Sequence, residues 1–68
     1  MTIQSIRFDK LRWTESTAEK WLSDHNLVPI KKFDETKHFF RYRLRRPNNF
    51  QKYFTKKLDN GIDLIIQY

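Results

Sequence analysis

The sequence has no cysteine and few residues that interrupt regular structure. Without cysteine, its 68 residues can form neither a disulfide nor a thiolate metal site. One glycine and two prolines supply neither a flexible linker nor a glycine-rich phosphate loop. No apolar run approaches the roughly 18 residues of a membrane span, and the first residues lack the features of a signal peptide. We therefore expect one soluble, intracellular domain over residues 1–68, with no membrane partner.

Charges of both signs are present, but positive charge predominates. Fourteen Lys and Arg residues oppose eight Asp and Glu residues, which gives a net charge of +6. Aromatic residues make up 16% of the chain, and this proportion is typical of a compact fold rather than of a disordered basic tail. The composition therefore predicts a folded domain whose charge favours an acidic partner.

Hydrophobic periodicity predicts five strands and one helix. Alternation with a period of two indicates the strands, and apolar positions spaced by three and four residues indicate the helix. Asp59-Asn60-Gly61 predicts a hairpin, because Asn and Gly tolerate the positive φ of tight turns. The predicted order is β-α-β-β-(short turn or helix)-β-β, with strands over 2–9, 28–34, 38–45, 53–58 and 62–68 and the helix over 14–25.

The helix is expected to cover one face of an antiparallel sheet, which makes the fold α+β. Thr14 is a good N-cap, and Ser16 with Glu19 at capping-box spacing is a competing start. Asn26 suits the left-handed position after the last turn. The apolar side chains expected between helix and sheet are those of Ile6, Phe8, Ala18, Trp21, Leu22, Phe40, Tyr42, Leu44, Ile62, Leu64 and Ile66.

The strand predicted over 38–45 has a basic residue at every second position near its end. Alternation places these residues on the sheet face that the helix does not cover. Guanidinium groups bind phosphates in a planar, bidentate way, so the pattern favours contact with nucleic acid. The predicted phosphate ligands are Arg41, Arg43, Arg45 and, in the following loop, Arg46.

Other residues extend this interpretation or compete with it. Phe39 falls on the same face and is a candidate for stacking on a base. Alternatively, the arginines lie on a solvated face and pair across strands with carboxylates such as Asp63 or Glu35. Three lysines interleaved with aromatic residues are further candidates for phosphate contact: Lys52, Lys56 and Lys57.

Three apolar residues are predicted on the uncovered face: Ile3, Phe39 and Ile65. Apolar groups on an open sheet face indicate burial against a partner, and a second copy is the simplest one because two-fold dimers are the commonest assemblies. Alternatively, they are scattered surface residues that need no partner. We expect a homodimer with these residues in its interface.

Asp34, Glu35 and His38 form the one grouping that suggests acid–base or metal chemistry. Their spacing is that of a turn that leads into a strand, and a zinc site needs more clustered ligands. The chain has no recognisable catalytic constellation. We expect neither an enzyme nor a cofactor, a bound metal or a small-molecule substrate.

Spaced aromatic, threonine and arginine positions run through nearly the whole chain. They are contained in Ser5-Ile6-Arg7-Phe8-Asp9-Lys10, Trp13-Thr14, Ala18, Trp21-Leu22, Asp34-Glu35-Thr36, Phe40-Arg41-Tyr42-Arg43-Leu44, Phe54-Thr55-Lys56-Lys57-Leu58 and Gly61-Ile62. This combination resembles small uncharacterised proteins of giant DNA viruses, including the marseillevirus group, with related domains in tailed phages. The resemblance implies a viral source and a βαββ core, and it implies no catalytic residues. Phage domains often have Gly where this chain has Asn26, a departure that affects only the helix cap.

Taken together, these features predict a small, basic, non-enzymatic viral protein that binds nucleic acid as a homodimer. Binding is expected to be independent of sequence, with DNA favoured over RNA. The alternative is a protein-interaction module that binds an acidic viral or host protein through its open sheet face. The expected location is the host cytoplasm or nucleus, with packaging in the virion as a further option.

Overall fold

Five strands and one helix account for the regular structure of residues 2–30, 33–46 and 52–68, which the computed structural model describes. The neighbouring strands are antiparallel and lie in the order β2-β3-β1-β5-β4. The predicted α+β class, with one helix and an antiparallel sheet, is confirmed. The turn predicted after Arg46 falls largely outside the described residues. The elements are β1 (Thr2–Asp9), α1 (Glu15–Asp24), β2 (Asp34–Glu35), β3 (Phe39–Arg43), β4 (Tyr53–Lys57) and β5 (Ile62–Gln67).

The helix begins where the first of the two N-cap candidates predicted it to begin. The backbone N–H of Thr17 donates to Oγ1 of Thr14 over 3.2 Å, and the N–H of Thr14 donates to Oγ1 of Thr17 over 2.9 Å. This reciprocal pair is a capping box, so the competing start at Ser16 is wrong. At the other end, Asn26 adopts a φ of 57°, as expected of a residue that ends a helix in the left-handed region.

The core lies between α1 and one face of the sheet. Ala18 and Leu22 of the helix pack on Ile6 and Phe8 of the central strand β1 and on Ile62 of β5. Aromatic rings surround Phe8 in edge-to-face geometry, at centroid distances of 5.2 Å (Trp13), 5.8 Å (Trp21) and 5.6 Å (Tyr42). Of the apolar side chains predicted between helix and sheet, all but Ile66 belong to this core cluster or pack against it.

The connection between β1 and α1 is bonded to the turn between β4 and β5. The indole Nε1–H of Trp13 donates to the carbonyl oxygen of Asn60 over 2.8 Å, and Nη1 of Arg12 donates to that of Asp59 over 2.8 Å. In the same turn, Gly61 has a φ of +84° and its carbonyl oxygen accepts a hydrogen bond from the N–H of Asp9. The predicted hairpin is confirmed, and it is bonded to the start of the helical layer.

The strand predicted over 28–34 is largely wrong. Only Asp34 of that range is in a strand, and residues 31–32 lie outside the described part of the chain. Pro29 has no N–H to donate to a neighbouring strand. The N–H of Ile30 instead makes a single bond, 2.9 Å long, to the carbonyl oxygen of Arg43. Ile30 therefore lies beside the end of β3 without forming part of a strand.

Replacement of Gly61 by alanine tests the importance of the turn between β4 and β5. We expect Gly61→Ala to lower the free energy of unfolding by at least about 1 kcal/mol, because L-residues rarely adopt its positive φ. The added Cβ would also lie 2.8 Å from Cδ of Arg12. Asn26→Gly is the matched control, because Asn26 also adopts a positive φ. Glycine tolerates that conformation, so this substitution should change the free energy of unfolding by less than about 0.5 kcal/mol. Equal losses in urea denaturation would contradict this explanation.

Tyr42 provides a test at alkaline pH. Burial raises its pKa from 10.0 to about 12, and Glu19 and Glu15 add to the rise. The neutral phenol therefore contributes stability that is fully present below pH 10 and is lost as the pH rises through about 12. The hydroxyl makes no hydrogen bond to the described residues, so Tyr42→Phe should be nearly neutral at pH 8. Between pH 10 and 12, urea denaturation should show the wild type losing stability relative to this variant.

Candidate nucleic-acid interface

The face of the sheet opposite α1 carries the residues that alternate with the core. We call it the open face, because the only helix in the described part of the chain packs on the other side. Cross-strand register fixes its members. They are Asp34 of β2, Phe39, Arg41 and Arg43 of β3, Thr2, Ser5, Arg7 and Asp9 of β1, Asp63, Ile65 and Gln67 of β5, and Tyr53, Thr55 and Lys57 of β4.

A row of charged residues crosses all five strands of the open face. Each member lies directly opposite the next in the ladder, in the order Asp34, Arg41, Arg7, Asp63, Lys57. Two arginines therefore occupy neighbouring positions on the central strands. Like charges that lie directly opposite each other destabilise a sheet. The row consequently has a positive centre with a carboxylate on each side.

Arg7 is held by two contacts within the open face. Its Nη2 lies 2.8 Å from Oδ2 of Asp63, whose side chain is only 11% exposed. Its guanidinium carbon lies 4.7 Å from the centre of the Phe39 ring, which is a cation–π distance. The predicted stacking residue Phe39 is thus already covered in part by Arg7.

Arg41 differs from its two neighbours because no carboxylate of the described residues pairs with it. Asp34, which lies opposite Arg41 in the register, instead places Oδ2 3.1 Å from Nε of Arg43. Burial lowers the pKa of Arg41, and the charges of Arg43 and Arg7 lower it further, against the opposing effect of Asp34. The cation at Arg41 is therefore electrostatically disfavoured in the chain alone, and a bound anion would stabilise it.

Unsatisfied hydrogen-bond donors are concentrated at the same place. The Nε atoms of Arg7 and Arg41 and the hydroxyl of Ser5 are buried and make no hydrogen bond to the described residues, whereas Nε of Arg43 lies beside Asp34. Such groups cost free energy when they have no acceptor. These atoms have almost no accessible surface, so an external anion would contact the exposed parts of the arginine side chains and offset the repulsion among their charges. We call Arg7, Arg41 and Arg43 the arginine cluster.

The strand predicted over 38–45 is too long at its C-terminal end, because Arg45 is not part of it. Strand β3 ends at Arg43, because the N–H groups of Leu44 and Arg45 both donate to the carbonyl oxygen of Gln4, over 2.8 and 3.2 Å. The side-chain Nε2 of Gln4 in turn donates to the carbonyl oxygen of Arg45 over 2.8 Å. Arg45 and Arg46 are exposed beyond the strand end. The prediction that three arginines of one strand share this face is therefore wrong. Arg41 and Arg43 of β3 are joined there by Arg7 of β1.

An irregularity in β1, at Gln4, places Ile3 on the core side of the sheet. The register between β1 and β5 shifts between Ile3 and Ser5, so Ile3 lies opposite Ile66 and packs against the core cluster. A β-bulge of this kind inserts one unpaired residue and reverses the alternation. The prediction of Ile3 on the uncovered face is wrong. Phe39 and Ile65 do lie on the open face, both partly buried.

The three predicted lysines do not share one surface. Lys57 lies on the open face opposite Asp63, whereas Lys56 lies opposite Leu64 on the side that carries the helix. Lys52 is exposed and precedes β4, where its backbone pairs with that of Tyr68. Only Lys57 therefore joins the charged row.

The carboxylates proposed for acid–base or metal chemistry serve as ion-pair partners. Asp34 pairs with Arg43, and Glu35 lies 2.6 Å from Nζ of Lys10. His38 is exposed in the turn before β3. Among residues 2–30, 33–46 and 52–68, no group of three or more His, Asp or Glu side chains could hold a metal ion. The structure therefore does not bring Asp34, Glu35 and His38 into one site.

The sequence analysis did not include Arg7 among the binding residues, although it alternates with the core residues Ile6 and Phe8. Its role depends on the register that sets it opposite both Arg41 and Asp63. The carboxylate alternatives were partly right: Asp63 does pair across strands, but with Arg7, and Glu35 pairs with Lys10. The surface is thus a mixed one, with an unpaired cation at its centre.

Comparison with known proteins gives no relative for this chain. No protein-family model, curated protein or solved structure matches it. The resemblance to proteins of giant DNA viruses therefore stays a prediction from the sequence. Within the described residues, no helix is long and apolar enough to cross a membrane.

Two substitutions separate the structural carboxylate from the unpaired arginine. Asp63→Asn should lower the free energy of unfolding by about 1–2 kcal/mol, because Arg7 and Arg41 then face each other without their buried counter-charge. Arg41→Met keeps an apolar stem and removes repulsion, so its effect should be within about 0.5 kcal/mol of zero or stabilising. Urea denaturation measures both. A loss in Arg41→Met as large as that in Asp63→Asn would show that the chain itself already stabilises the Arg41 cation.

Proposed function

We propose that this protein binds nucleic acid through the open face, with Arg41 as the central phosphate ligand. The observation that carries the proposal is the arginine cluster, in which three guanidinium groups share two carboxylates and Arg41 has no ion-pair partner among the described residues. Arginine suits phosphate because its planar fork donates two parallel hydrogen bonds. A phosphate over Arg41 would supply the missing negative charge.

The distribution of charge over the two layers supports the same orientation. Helix α1 contains Glu15, Glu19 and Asp24 against a single Lys20, so its net charge is −2. With +6 for the whole chain, the residues outside the helix carry +8. A polyanion is therefore repelled by the helical layer and attracted to the remainder of the molecule. This asymmetry would orient the open face towards a nucleic acid before contact.

Other basic residues extend the proposed surface. Arg43 forms an ion pair with Asp34, and Lys57 lies at the β4 end of the charged row. Arg45 and Arg46 are exposed where the chain leaves β3. Such contacts go to the phosphate backbone, so binding should depend on salt and very little on sequence. DNA is the favoured ligand, and RNA is the comparison in the test.

A protein-interaction module is the second candidate, and one observation favours it. The open face carries Asp34 and Asp63 as well as the half-buried Phe39 and Ile65. A surface with both charge signs and apolar groups also suits an acidic protein partner. Such a partner would pair with Arg41 through a carboxylate rather than a phosphate.

Fluorescence anisotropy with labelled single- and double-stranded DNA and RNA tests the proposal. The wild type should bind at about micromolar concentration in low salt, and affinity should fall steeply as salt rises. Arg41→Met should weaken binding about tenfold and reduce the slope of log K against log salt by about one, because one phosphate contact is lost.

Lys20→Met is the matched control for that experiment. It removes the same formal charge from the exposed surface of α1, where Lys20 lies 3.9 Å from Asp24. Its effect on binding should be less than about twofold if the contact is local rather than a response to net charge. Equal weakening by both variants would reject Arg41 as a ligand, and no binding to any of the four nucleic acids in low salt would reject the proposed function.

A further inference from the structure

Strand β4 is an edge of the sheet that another strand could extend. In the part of the chain that the structure describes, it lies at one end of the strand order, next to β5 only, and all five of its residues are exposed. An edge strand presents unpaired backbone groups, which make it a template for pairing with another chain. What can pair with β4 depends on which of its backbone groups face outward.

Hydrogen bonds at the two ends of β4 show which groups these are. Lys52 and Tyr68 exchange both backbone bonds, over 3.1 and 2.9 Å, and the N–H of Leu58 donates to the carbonyl oxygen of Ile62 over 2.8 Å. In an antiparallel ladder, hydrogen-bonded pairs occur at every second residue. Even-numbered residues of β4 therefore bond to β5, and the N–H and C=O of Thr55 point away from the sheet.

We propose that two copies of this chain pair antiparallel through β4, about a two-fold axis at Thr55. The N–H and C=O of Thr55 would then exchange two hydrogen bonds with the same groups of the second copy. Phe54 would lie opposite Lys56 of the second copy, and the symmetry repeats this contact. An ammonium group against an aromatic ring is a favourable cross-strand pair.

Charge opposes the registers centred on residues 54, 56 and 57. An axis at residue 56 or 57 would place a lysine opposite its own symmetry mate, and an axis at residue 54 would place Lys56 opposite Lys52 of the second copy. Like charges in those positions oppose pairing. Lysines on an edge ordinarily discourage association. Here the register centred on Thr55 sets Lys56 against an aromatic ring instead of another lysine.

This interface differs from the one that the sequence predicted, and it does not depend on the proposed function. A face-to-face dimer through Phe39 and Ile65 would cover the open face. Pairing through β4 leaves Arg7 and Arg41 outside the interface, because β1 and β3 lie on the far side of β5. Self-association can thus be measured on the protein alone, and Arg41→Met should leave it unchanged.

Opposite charges at residue 54 provide the matched test. Phe54 packs against Tyr68 at a centroid distance of 5.5 Å, and both Phe54→Lys and Phe54→Glu remove that contact. In the proposed register, the new lysine would face Lys56 of the second copy, whereas the new glutamate would form an ion pair with it. Sedimentation velocity from about 10 μM to about 1 mM should show a monomer–dimer equilibrium for the wild type. The glutamate variant should dimerise at least about fivefold more tightly than the lysine variant.

Thr55→Pro tests the backbone bonds themselves. It removes an N–H that points away from β5, so the edge strand should tolerate it and circular dichroism should show a folded chain. This variant should be monomeric over the same concentrations. The proposal is overturned if the wild type is monomeric throughout, if the two residue-54 variants associate equally, or if folded Thr55→Pro still forms a dimer.

Discussion

The position of β1 at the centre of the sheet is the constraint on which the rest of the structure depends. This strand pairs with β3 on one side and with β5 on the other, so its alternation decides which side chains of both neighbours face the helix. Ile6 and Phe8 face the core, whereas Ser5 and Arg7 face away from it. The register shift before Ser5 reverses this alternation and returns Ile3 to the core. The bulge therefore lies between Ile3, which faces the core, and Ser5 and Arg7, which lie on the open face.

The electrostatic character of the open face follows from that register. Arg7 and Arg41 are neighbours because each lies at the same level of its strand, and Asp63 lies at that level on the next one. Asp63 compensates Arg7 and leaves Arg41 next to two cations. The repulsion among these cations is a local cost to the folded chain. The phosphate that we propose as a ligand would offset this cost.

Most of the fold was predictable from the sequence, because local periodicity is enough to locate strands and the helix. The bounds of β1, the Thr14 cap and the turn at Gly61 were all read from residues close in sequence. The errors arose where distant residues decide. Arg45 leaves the strand because of Gln4, and the ion-pair partners of Arg7 and Arg43 depend on cross-strand register. Alternation along one strand predicts the sheet face on which a residue lies, but it does not predict which residue of the adjacent strand lies next to it.

The pairing of β1 with β5 has a consequence for how this chain acquires its structure as it is synthesised. Thr2 lies opposite Gln67, so the central ladder joins residues from opposite ends of the described sequence. On the ribosome, β1 and the helix emerge first, but one side of β1 stays unpaired until β5 has been translated and has left the exit tunnel. Contacts this distant in sequence slow folding and prolong the exposure of an apolar strand. The nascent chain thus leaves one edge of β1, the strand that contains Ile6 and Phe8, unpaired until β5 is available.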